Sequence, residues 1–221
     1  MTYKMIVFDW DGTLFDSSAH IVECVQHAAR AIDLDTPDPQ KVKSMIGLSF
    51  EEAIDRVLPN LSPVQMAKFT QTYRHHADDV NLDQPMLFEG SETVLKTLHD
   101  QGYWLAIATG KSRRGLARDL QLLALDDYFM VSRTADETRS KPHPQMLLEL
   151  IDVTGVMSAD VLMVGDTTFD IQMALNAEVD ALAVTYGVHD KDQLQHDNVR
   201  GFLDDIRHLP DWLEQQEDVH S

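Results

Sequence analysis

The chain has 221 residues, enough for one large domain or a domain with a sizeable insertion, and for a substantial apolar core. Hydrophobic residues make up 43% and charged residues 25%, ordinary proportions for a soluble globular protein. Eighteen basic against 37 acidic residues give a formal net charge of −19, which disfavours broad contact with nucleic acid or an anionic membrane surface and favours a divalent cation wherever carboxylates cluster.

The first element is the apolar run MIVFDW (5–10), read as a buried strand. Its apolar part is too short for a secretory leader and ends in acid. No later segment approaches the roughly 18 apolar residues of a membrane span, so a soluble, cytoplasmic protein is expected. From 17 to 81 there is no strand pattern. Helical periodicity is expected over 21–32, 40–45, 50–57 and 64–80, punctuated by Pro37, Pro39, Pro59 and Pro63. Cys24, the single cysteine, excludes an intramolecular disulfide and reads as a small buried hydrophobe. Met45 and Met66 read as core. His75 and His76 occupy adjacent helical positions that point apart, which argues against a metal pair.

A helix is expected over 91–100, with Val94, Leu95 and Leu98 on one face and Gly102 as its stop. The strand YWLAIATG (103–110) follows, then helices over 114–123 and, after Pro144, over 145–153. Next come the strand DVLMVGD (160–166), a helix over 169–177 and a fourth strand, DALAVTYG (180–187). The tail EQQEDVHS (214–221) is polar and expected to fray. Alternation of this kind argues for an α/β parallel sheet. The stretch between the first two strands is too long for one crossover and reads as a helical insertion.

The chemistry concentrates where strands end. Residues i and i+2 of a strand share a side, so Asp9 and Asp11 face one direction at the carboxyl end of the first strand, where open α/β sheets bind ligands. Two adjacent carboxylates are costly unless one is protonated or a cation lies between them. An ionised Asp can be a nucleophile and a neighbour with a raised pKa an acid/base. A calcium loop fits poorly, because Gly12 comes at the fourth position and His20 at the twelfth. A phospho-acceptor receiver domain would not require the long insertion, and a structurally capped turn explains DWDG taken alone.

Other strand ends add to the pattern. Thr109, Gly110 and Lys111 offer a hydroxyl and backbone N–H groups suited to phosphate. Lys141, in SKPHP (140–144), would balance negative charge. Asp166 ends another apolar run, with Asp170 one turn on, and Asp166 beside Asp9 would complete an oxygen-rich Mg²⁺ site.

Together DWDGTL, ATGK, KPHP and GDTTFD resemble, in order, the four motifs of the haloacid dehalogenase-like superfamily, specifically its phosphatases with a helical cap after the first strand. The resemblance implies a Rossmann-like doubly wound parallel sheet core (1–16 and 82–221) with an inserted α-helical cap (17–81). It implies that Asp9 attacks phosphorus and that Asp11 protonates the leaving oxygen and then activates water. Thr109 and Gly110, with Gly12 and Thr13, would contact phosphate, and Lys141 would neutralise the transferring group. Mg²⁺ would be held by Asp9, the Asp11 carbonyl and Asp166, supported by Asp170. Asp11 favours phosphorus over carbon as the electrophile, since the dehalogenases lack a second Asp there. DGTLFDS, KPHPQML and YGVH look most similar to phosphoglycolate phosphatase-like proteins. The implied substrate is a small phosphate ester, hydrolysed by a monomer or homodimer. A β-phosphoglucomutase-type mutase and a pyrophosphatase are alternatives. One departure is Glu178, where relatives usually carry Gly after Asn-Ala.

Choice of leaving group would fall to the cap, with Lys43, Gly47 and Ser49 as candidates. Lys43 reads first as surface charge, and Gly47 reads also as a helix stop. Arg113 and Arg114 are candidate anion guides. Hinges for cap motion are expected near 15–17 and 81–85.

Overall fold

The computed structural model describes residues 3–79 and 87–218. Helices α1 (Ser18–Ala31), α2 (Pro39–Lys43), α3 (Phe50–Val57) and α4 (Pro63–Asp79) precede α5 (Ser91–Asp100), α6 (Arg113–Leu123), α7 (Gln145–Thr154), α8 (Thr168–Asn176) and α9 (Leu209–Asp218). Strands β1 (Met5–Phe8), β2 (Trp104–Thr109), β3 (Phe129–Thr134), β4 (Val161–Gly165), β5 (Asp180–Val184) and β6 (Val199–Leu203) form one sheet of order β3-β2-β1-β4-β5-β6. Every pairing is parallel. The 81–85 hinge expectation lies outside the described residues, as does position 80 of the helix expected over 64–80.

The central strands are apolar on both sides because both faces are covered. Ile6 and Phe8 of β1 join a cluster with Val94 and Leu98 of α5, Leu116 of α6 and Leu213 of α9. Met5 and Val7, on the opposite face, join Leu147 and Leu150 of α7 and Ile171 and Met173 of α8. This is the doubly wound α/β architecture expected. Between β1 and α5, helices α1 to α4 hold a third cluster of their own, built on Val25, Val42, Ile54 and Phe69. Among the described residues, no helix is long and apolar enough to cross a membrane.

Three local features differ from expectation. Strands β3 and β6 lie at the sheet edges, where half-exposed positions admit Ser132, Arg133 and Arg200 and blur the apolar run. Helix α9 continues through the polar tail to Asp218, anchored by the buried Leu209 and Leu213. Helix α2 stops at Lys43, where the Ser44 hydroxyl donates back to the Lys41 carbonyl at 3.0 Å, and Gly47 then takes φ 101°.

Candidate active site

The chain leaves β1 for β2 on one side and returns through β4 on the other, so the sheet order reverses between β1 and β4. Crevices outside the carboxyl ends of strands at such a reversal are the ligand sites of open sheets. Asp9 directly follows β1 and Asp166 directly follows β4. With Asp170, in the first turn of α8, they offer carboxylate oxygens all within 4.8 Å of one another, and all three residues are buried.

Each carboxylate has a distinct set of partners. Lys141, in the loop between β3 and α7, is fully buried, with its Nζ 2.8 Å from Asp9 Oδ1 and 2.6 Å from Asp170 Oδ1. The other Asp170 oxygen closes a capping box, accepting from the Thr167 N–H at 3.0 Å and hydroxyl at 2.7 Å. Asp166 accepts from the Thr13 hydroxyl at 2.8 Å and the Val188 N–H at 2.8 Å. Asp9 Oδ1 also accepts from the Trp10 N–H at 2.7 Å. Asp9 Oδ2 is buried with no hydrogen-bond partner. Gly12 turns tightly at φ 92°, and the Asp166 carboxylate fills the space a Cβ would need.

Electrostatics follow from this crowding. Burial, then Asp170 and Asp166, push the Asp9 carboxyl well above the usual range, and Lys141 offsets only part of that. Asp166 is pushed up to about 7 by burial and then Asp170, against the pull of the Val188 N–H and Thr13. Burial draws the Lys141 pKa down, but Asp170 and Asp9 outweigh it and hold the ammonium charged. One buried ammonium thus faces three carboxylates. The orphaned Asp9 oxygen and the all-oxygen donor set fit a hard divalent cation.

Asp11 lies beside this cluster but is held differently. Its Oδ1 accepts from the Ser17 hydroxyl at 2.7 Å and from Lys111 Nζ at 2.9 Å. Lys111 also reaches the buried Asp119 at 3.1 Å, to which the Trp10 indole donates at 3.2 Å. The ATGK motif points to the backbone N–H groups there, whereas the fold commits the Lys111 side chain to Asp11 and Asp119. Asp119 gives no sequence signal, because a mid-helix Asp normally reads as solvated charge.

At the end of β2, Thr109 and Gly110 face a cavity of about 410 Å³ that Asp9, Asp11 and Lys111 also line. The Gly47 and Leu48 carbonyls occupy the space a Cβ on Gly110 would need, so only glycine allows this approach. The 44–49 loop is fixed at two further points. The Ser49 N–H donates to the Ser140 hydroxyl at 2.8 Å. His189 accepts from the Thr168 N–H on Nδ1 at 3.0 Å, so its proton sits on Nε2, 3.4 Å from the Ser44 carbonyl.

Several expected site residues have other surroundings. The Thr13 side chain is fully buried and its hydroxyl donates to Asp166. Lys43 is not among the residues lining the cavity. Arg113 binds Glu137 and Ser132. Arg114 lines the cavity but pairs with Asp78 of α4. His76 stacks on His27 with ring centroids 3.9 Å apart.

Comparison with known proteins adds a family. The family model described as haloacid dehalogenase-like hydrolase matches residues 6–184. The chain is 31% identical over 219 residues to a protein named pyrophosphatase PpaX from Halalkalibacterium halodurans, with 97% of each chain covered. It is 27% identical over 222 residues to a protein named phosphoglycolate phosphatase from Psychrobacter arcticus, with 96% of each covered. The solved structure of a predicted phosphoglycolate phosphatase from Haemophilus somnus superposes with a TM-score of 0.87 at 23% identity, over 96% of this chain and 98% of the other. At that identity the superposition speaks to the fold alone.

Proposed function

This chain belongs to the haloacid dehalogenase-like hydrolase family and is a phosphatase of it, and we propose that it is a Mg²⁺-dependent hydrolase of small phosphate monoesters working through an aspartyl-phosphate. The observation that carries this reading is Asp9 Oδ2, a buried carboxylate oxygen with no partner beside a charged lysine and two further carboxylates.

In the proposed reaction, Asp9 attacks phosphorus as the ester P–O bond breaks, and the leaving oxygen takes a proton from Asp11. Water then attacks the aspartyl-phosphate, giving its proton to Asp11 and releasing phosphate and the Asp9 carboxylate. In this structure Asp11 accepts from the Ser17 hydroxyl and from Lys111. Lys141 offsets charge on Asp9 and on the transferring oxygens, and Thr109 with the Gly110 backbone holds those oxygens. Asp9, Asp166 and the Asp11 carbonyl would hold Mg²⁺, with Asp170 orienting Lys141. The ion, when bound, supplies neutralisation of the clustered carboxylates and of the phosphoryl oxygens.

Residues 17–81, in this reading, act as a cap that closes over the site. The named relatives share phosphoryl chemistry but differ in leaving group, pyrophosphate in one name and phosphoglycolate in the other. The test is release of p-nitrophenol from p-nitrophenyl phosphate. Asp9→Asn abolishes it, and EDTA abolishes it until Mg²⁺ is restored. Turnover that persists in the variant, or in EDTA, rejects the mechanism.

A further inference from the structure

The cavity is lined by both polar and apolar side chains. Besides Asp9, Asp11, Thr109 and charged residues of α4 and α6, the walls carry apolar side chains of the insertion: Ile21 and Val25 of α1, Met45 between α2 and α3, Phe50 and Ile54 of α3, and Tyr73 of α4. Val25 and Ile54 belong at the same time to the apolar cluster of these helices, so the space opens into their core. A volume of about 410 Å³ falls in the roughly 300–1,000 Å³ range of sites for drug-sized molecules. A two-carbon acid or a second phosphate would leave most of it to water against apolar walls.

The charged lining does not serve an anionic leaving group. Arg114 and Arg118 are tied to Asp78, and Lys111 to Asp11 and Asp119. Arg74 is the one lining cation with no acidic partner among the described residues, and it is exposed to solvent. Asp78 and Asp136 also line the cavity, and the net charge of −19 opposes extra negative charge on the ligand.

We propose that the leaving group of this enzyme's preferred phosphomonoester is uncharged and carries an apolar body, a ring or branched chain, seated among Val25, Phe50, Ile54 and Tyr73. The proposal rests on the phosphatase reading above and adds the substrate class. The phosphoryl group sits at Asp9 and the apolar body fills space whose emptiness forfeits packing contacts.

The test measures phosphate release by the purified protein with Mg²⁺ across methyl, butyl, hexyl and 2-phenylethyl phosphate, beside 2-phosphoglycolate and pyrophosphate. These alkyl esters differ little in leaving-group acidity, so the series reads binding. The expected result is a rise in kcat/KM of about threefold per added methylene until the cavity fills. 2-Phenylethyl phosphate then exceeds both anionic substrates at least tenfold. A second arm uses Ala53→Leu, which projects three more carbons into the cavity from half-buried α3. The ratio of kcat/KM for 2-phenylethyl over methyl phosphate falls at least tenfold in that variant. A flat series, an unchanged ratio, or faster turnover of either anionic substrate while methyl phosphate still reacts overturns the proposal and leaves the phosphatase reading standing. Release from none of these esters, nor from p-nitrophenyl phosphate, rejects both. If the variant does not fold, the wild-type series decides alone.

Discussion

Lys141 makes two ion pairs, with Asp9 and Asp170, and all three side chains are shut away from water. Removing one partner of a buried ionic group costs about 3–5 kcal/mol, because the remaining charges are left unpaired. Lys141→Met is therefore expected to lower unfolding stability by about that amount, read in a denaturant titration, and to abolish turnover. Asp166 has the opposite signature. Its folded pKa is raised to about 7, so the folded state holds a proton that the unfolded carboxyl, near 4, has lost. Its contribution is present in full below about pH 4 and disappears as pH rises through about 7. In EDTA, the stability of Asp166→Asn relative to wild type should thus grow between those limits, and Mg²⁺ should shrink the gap by stabilising only wild type. Equal pH profiles in thermal unfolding would contradict this. Asp9, Thr109 and Asp166 were legible from sequence because each stands at the end of an apolar strand run, and Lys141 because it precedes two prolines in a short loop motif. The Lys111–Asp119 pair was not, because its logic is the buried Trp10 indole and Asp11, which only the fold brings to α6.

Among the elements, the helix end after α8 shows how a local departure can be read in advance. The Val179 N–H donates to the Ala174 carbonyl at 2.9 Å and the Glu178 N–H to the Leu175 carbonyl at 3.0 Å, a closure that needs a left-handed residue at 178. Glu178 adopts φ 56° there. A non-glycine residue in that region costs about 1–2 kcal/mol, and glycine's greater loss of backbone freedom returns about 0.5–1 kcal/mol of that. Glu178→Gly is expected to raise stability by about 0.5–1 kcal/mol, or Tm by about 2 °C in a chain of this size. An unchanged or lower Tm would count against it. Helix ends obey local rules, so this departure is legible in the sequence. Strands β3 and β6 obey a global one. Each pairs on one side only, so Ser132, Arg133 and Arg200 can sit in them with partners drawn from elsewhere, as the Arg133–Glu149 and Arg200–Asp180 pairs show. No apolar run marks such a strand in the sequence.

On the scale of the whole molecule, polar contacts among the described residues join the insertion to the sheet on two sides. On one side Arg114 and Arg118 of α6 reach Asp78, and Arg118 reaches the Ala77 carbonyl at 3.1 Å. On the other, Ser140 and His189 hold the 44–49 loop. The Arg114 side chain is 74% exposed and that of Asp78 37%, so their pair contributes at most about 1 kcal/mol and little to global stability. If residues 17–81 close as a cap, the same small energy is a large fraction of what decides between open and closed. Single variants cannot isolate it. Asp78→Ala removes a negative charge from the cavity wall and draws the phosphate in, whereas Arg114→Ala does the reverse. Loss of the latch acts in the same sense in both and can occur only once. In a double-mutant cycle on KM at low ionic strength, the double variant should therefore be less impaired than the product of the singles by about two- to fivefold. Near 0.5 M salt the pair is screened, and the coupling should vanish. Independent effects at low salt would mean that Arg114 and Asp78 lie together without holding the cap shut.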